Sequence, residues 1–152
     1  SVLGKEGNAW RDMVVPMGEI EDIVMMGPVL GGAAAQLSLL IAAIREHPSE
    51  PDITLQSELG ALHALLQTMR IIAYEAASRL DRNNASPVPL MITFFRTATE
   101  FHERITQITD HREITGSHEY TYLHRDIESM VALKKGLMQI RQKKIGSALL
   151  KA

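Results

Sequence analysis

Residues 55–80 read LQSELGALHALLQTMRIIAYEAASRL, and in them Leu55, Leu59, Leu62, Leu66, Met69, Ala73, Ala76 and Leu80 step by four and three in alternation. This spacing returns an apolar side chain to one face of an α-helix at every turn, whereas a half-buried strand alternates every second residue. The stretch is therefore a bundle seam, a helix whose stripe must be hidden against other helices. The breaker segment His47-Pro48-Ser49-Glu50-Pro51 precedes it, and Asp52 or Thr54 offers an oxygen to cap its start. Arg82-Asn83-Asn84-Ala85-Ser86-Pro87-Val88-Pro89 ends it, because two prolines among turn formers cannot continue a helix.

Downstream, Leu90, Phe94, Ala98, Phe101, Ile105 and Ile108 predict a third helix from near Pro89, closed by the polar stretch Thr109 to Ser117 with Gly116. A looser fourth seam runs through Leu123, Ile127, Met130, Leu137 and Ile140 into Arg141, Lys143 and Lys144, cations that suit a helix C-terminus. Upstream, a first helix is expected from about Gly18 to Arg45, kinked at Pro28, whose ring crowds the carbonyl of Val24. Four such stripes hide one another best in an all-α, up-down-up-down four-helix bundle, placed over residues 17–152.

Composition agrees. The chain has 152 residues, enough for one domain that needs no disulfide or metal to hold its core, and it has no cysteine, which fits a reducing, cytoplasmic setting. Aromatic residues are only 5%, which favours helix over sheet. A net charge of -2 gives no basic footprint for nucleic acid. Ile23 to Ile44 holds 22 successive residues without a charge, the length of a membrane span. Gly27, Pro28, Gly31, Gly32, Gln36 and Ser38 within it favour a buried bundle helix instead. The Gly27-x-x-x-Gly31 spacing discriminates little, since small residues let any two helices approach closely.

The chemical motifs are mostly missing. No Glu has a His three residues later, as a di-iron bundle requires, and His118-Glu119 is not followed by a histidine at zinc-protease spacing, so no metal site is expected. No nucleophile elbow, phosphate loop or dinucleotide fingerprint occurs. The histidines His47, His63, His102, His111, His118 and His124 are expected in loops and at helix edges. Glu19, Glu21 and Asp22 near the start of the first helix suit the positive end of its dipole, a capping role.

Taken in order, these segments resemble the C-terminal helical domain of acyl-CoA dehydrogenases, flavoproteins that oxidise the α,β bond of an acyl thioester. Val2-Leu3-Gly4-Lys5-Glu6-Gly7-Asn8-Ala9-Trp10 resembles the exit from that family's middle β-domain, which makes residues 1–16 a linker from an upstream domain. Gly27-Pro28-Val29-Leu30-Gly31 resembles the small-residue stretch of the first bundle helix, with Arg45 following at nearly the family's distance. Leu55-Gln56-Ser57-Glu58-Leu59 and Met69-Arg70-Ile71-Ile72-Ala73-Tyr74 resemble the next helix, and Arg125-Asp126, Gly136, Ile140 and Ala148-Leu149-Leu150 the closing stretch. The resemblance implies FAD as cofactor, approached by Arg45 and Gln56, an acyl-CoA substrate, upstream domains and a homo-oligomer.

The departures bear on mechanism. Glu46-His47-Pro48 follows Arg45 where the family has Phe-Gly, and Lys135-Gly136 stands where it has the Glu-Gly base. A lysine does not replace that carboxylate without a large pKa drop. Some members carry the base on the first bundle helix, which makes Glu19 and Glu21 the candidates for catalysis. Two readings follow: a wall of a flavin and acyl-CoA site in a longer oxidoreductase, or a non-catalytic helical interaction module that has lost the flavin.

Overall fold

The computed structural model describes residues 15–46, 52–82, 85–111 and 117–151, and in them the chain forms four α-helices and no strand: α1 (Val15–Glu46), α2 (Ile53–Arg82), α3 (Val88–His111) and α4 (His118–Leu149). The Val2 to Trp10 stretch, the His47 to Pro51 breaker and Gly116 lie outside the described residues. Each helix packs on its neighbours in the chain, α1 closes on α4, and α1 and α3 also touch across the middle. The pairing of Asp22 with Lys134 and of Gln36 with His124 sets α4 antiparallel to α1, and contacts of Met91 with Arg141 and Thr106 with His124 set it antiparallel to α3. The chain is thus an all-α four-helix bundle.

The seam of α2 is where its spacing puts it: Leu55, Leu62, Leu66, Met69 and Ala76 are buried, with Leu59 and Ala73 packed against them. Its start is capped as expected, the Asp52 carboxylate accepting from the Leu55 N–H at 2.7 Å. In α3, Phe94, Ala98, Phe101, Ile105 and Ile108 are buried, joined by Met91, Ile92 and Phe95 on a broader face. The threonines of α3 stay inside it: the hydroxyls of Thr93, Thr97 and Thr99 donate to the carbonyls four residues back.

Two boundaries and one seam differ from the sequence reading. Helix α1 starts at Val15 rather than Gly18, with Pro16 in its first turn, where a missing N–H costs nothing. Glu19, Glu21 and Asp22 therefore sit in the second turn, and the capping role assigned to them does not hold, because the first turn carries no acid. Helix α4 begins at His118, where the Ser117 hydroxyl accepts from the Tyr120 N–H, and runs past the basic patch to Leu149, so Arg141, Lys143 and Lys144 are not at its end. Its buried face passes through Ile127, Val131, Lys134 and Met138, while Leu137 and Ile140 are exposed. A buried lysine turns that face away from the apolar spacing.

Glycine marks where α1 and α4 come close. A Cβ on Gly32 would lie 3.2 Å from Cγ1 of Ile127, whereas one on Gly27 or Gly31 would meet nothing within 4 Å. Gly31→Ala is therefore expected to raise stability by about 0.5–1 kcal/mol through helix propensity alone. Gly32→Ala is expected to lose that gain, because the buried Ile127 has to give way. Urea midpoints of the two variants test the contrast, and equal gains would show that the α1–α4 approach is looser than described.

Candidate functional site

Two polar clusters occupy the interior, both built on α1 and α4. In the first, Asp22 is 1% exposed. Lys134 Nζ lies 2.6 Å from its Oδ1, and an Arg141 guanidinium nitrogen lies 2.5 Å from Oδ2. Arg141 also reaches the Met91 sulfur on α3 at 3.5 Å. A carboxylate set between two cations ties α1, α3 and α4 together at one end of the bundle.

The second cluster lies further along the same helices. Gln36 Nε2 donates to His124 Nδ1 at 2.7 Å, which leaves the His124 proton on Nε2, facing the Thr106 hydroxyl at 3.5 Å. That hydroxyl donates to the His102 carbonyl at 2.7 Å. The His102 ring lies against His124 with centroids 4.4 Å apart, and Tyr120 stacks at 5.9 Å. His102 and His124 therefore sit half-buried at the α3–α4 junction, not at the helix edges that the sequence suggested. The contacts of His124 with Gln36 and Thr106 link α1, α3 and α4 at this level.

Burial, followed by the neighbouring His124, pushes the His102 pKa below the ordinary 6.5, against smaller opposing effects of Glu128 and Glu103. Burial raises the pKa of the Tyr120 phenol, opposed by the nearby side chains of Thr109 and Gln36. Because folding favours neutral His102, its contribution to stability is present above pH 6.5 and is lost as the pH falls below that and through the folded value. Denaturation midpoints are expected to drop between pH 7.5 and 5.5, and His102→Phe to flatten that slope. An unchanged slope in the variant would remove His102 from the account.

The four residues named from the resemblance do not converge. Glu19 is half-buried and Glu21 exposed near the start of α1, while Arg45 and Gln56 are exposed at the end of α1 and the start of α2. At 1.5 Å per residue, Glu21 and Arg45 are roughly 36 Å apart along one helix. Among the described residues these side chains do not make a flavin site within one chain. No group of three or more His, Cys, Asp or Glu among the described residues is placed to hold a metal ion.

A groove of about 720 Å³ opens between α3 and α4, with Phe95, Val131 and Met138 at its floor and Arg96, Lys135 and Glu103 among its walls. Lys135, the residue standing where the resemblance places a catalytic carboxylate, is thus one of its cations. Sequence reasoning missed this groove and both interior clusters. The one available signal was Lys134 interrupting the fourth stripe. No protein-family model, curated protein or solved structure matches the chain.

Proposed function

We propose that this bundle is the up-down-up-down C-terminal domain of an acyl-CoA dehydrogenase-like, FAD-dependent oxidoreductase, serving its assembly as one wall and as the oligomer interface. In that reading this chain's own residues contribute shape and contact. The order of the sequence segments supports the family. The observation that carries the interface role is the outer surface of α1, where Met17, Ile20 and Val24 are exposed and Gly27 and Gly31 are unfilled. These three exposed apolar side chains near the start of α1 leave a surface for a partner.

The distance between Glu19 and Glu21 at one end and Arg45 and Gln56 at the other favours the second reading, a helical interaction module without flavin chemistry. Expression alone and with its native upstream coding sequence separates the two. The isolated chain is expected to be colourless and inactive on acyl-CoA, and the longer protein yellow. A colourless longer protein would sink the oxidoreductase and leave the module. Light scattering is expected to show a dimer or larger, and Val24→Glu to shift it to monomer without lowering the melting temperature, since Val24 is exposed. A monomeric parent would sink the interface role in both readings.

A further inference from the structure

The groove between α3 and α4 has no part in that reading. Its floor is apolar, Phe95, Val131 and Met138 all being buried side chains, and its volume of about 720 Å³ is that of a small-molecule site. Contacts of Met91 with Arg141 and of Thr106 with His124 fix the register of the two antiparallel helices, and between them Arg96 and Lys135 come to one level on opposite walls. We propose that the groove binds a small amphipathic monocarboxylate, its apolar body on Phe95, Val131 and Met138 and its carboxylate between Arg96 and Lys135.

The charges select the ligand. Glu100 lines the groove but pairs with Arg104 at 2.8 Å, and neither Arg96 nor Lys135 has an acidic partner among the described residues. Glu103, set further along α3, is the other acid of the lining, so the two cations leave a net of about one positive charge. One carboxylate balances it; a phosphate dianion would be over-charged and a cation repelled. The Arg96 fork suits two carboxylate oxygens, with Lys135 opposite as a point charge. The hydroxyls of Thr93 and Thr97 are spent on backbone carbonyls, which leaves the polar recognition to these cations and to the amides of Gln139 and Gln142.

The proposal is independent of the flavin reading and is tested on the chain itself, labelled at its methionine methyls and titrated with decanoate below its micelle concentration. Met138 is expected to shift saturably with a sub-millimolar dissociation constant, while the core residue Met69 stays still. The Arg96→Gln, Lys135→Gln pair is expected to weaken binding about tenfold or more, as is replacing decanoate by decyltrimethylammonium. Both residues are exposed, so circular dichroism is expected to show the variant folded. A Met138 signal that does not saturate, or binding unchanged in the variant or equal for the cation, would overturn the proposal.

Discussion

Asp22→Ala is expected to lower stability by about 3–5 kcal/mol, although it removes a single short side chain near one end of the bundle. The carboxylate is the shared partner of Lys134 and Arg141, and Lys134 is itself buried. Without Asp22 the buried lysine loses its partner, which opposes folding. Arg141 is less affected, because its partly exposed guanidinium can turn to water. Conversely, Lys134→Met in the Asp22→Leu background is expected to recover most of the loss, since well-packed apolar pairs replace buried ion pairs at little cost. Urea denaturation of the three proteins measures both effects. A loss under about 1 kcal/mol in Asp22→Ala would show that the ion pairs are not buried in solution.

Leu66→Asp is expected to leave the chain unfolded at room temperature. Leu66 is 6% exposed in the middle of the α2 seam, so the substitution removes about 2–5 kcal/mol of burial and packing and adds a charge with no partner nearby. A domain of this size has about 5–15 kcal/mol to lose. Ile71→Asp on the outer side of the same helix, where the side chain is 69% exposed, is expected to change stability by no more than about 0.5 kcal/mol. Thermal melts followed by circular dichroism check the pair, and similar melting of the two variants would show that the helix faces are wrongly assigned.

The helices could be read from the chain because each one repeats its apolar residues at helical spacing, and α2 and α3 do so with little interruption. Helix α4 was only half legible. Its first half follows Ile127, but Lys134 turns inward to meet a carboxylate 112 residues away, and no local pattern announces such a pairing. The same holds for Gln36 and His124, which are 88 residues apart. A glutamine in an apolar helix and a histidine in a polar one each look unremarkable until the helices are brought together. The candidate site was legible least of all. Glu19, Glu21, Arg45 and Gln56 were named through a resemblance, and a resemblance carries no distances. The α3–α4 groove is made by residues that read separately as ordinary surface, among them Arg96 and Lys135.

Apolar stripes alone leave helices free to slip past one another by a turn, because leucine against leucine packs nearly as well at the next step. The Asp22 ion pairs remove that freedom. A slip of one turn, about 5.4 Å, would strand the buried charges of Asp22 and Lys134 apart from each other in the interior. The cluster acts as a detent, setting the axial position of α1 against α4 and so the level at which every later residue on the two helices meets. Any ligand or neighbour that has to push these helices along one another would first have to lift Asp22 out of its seat.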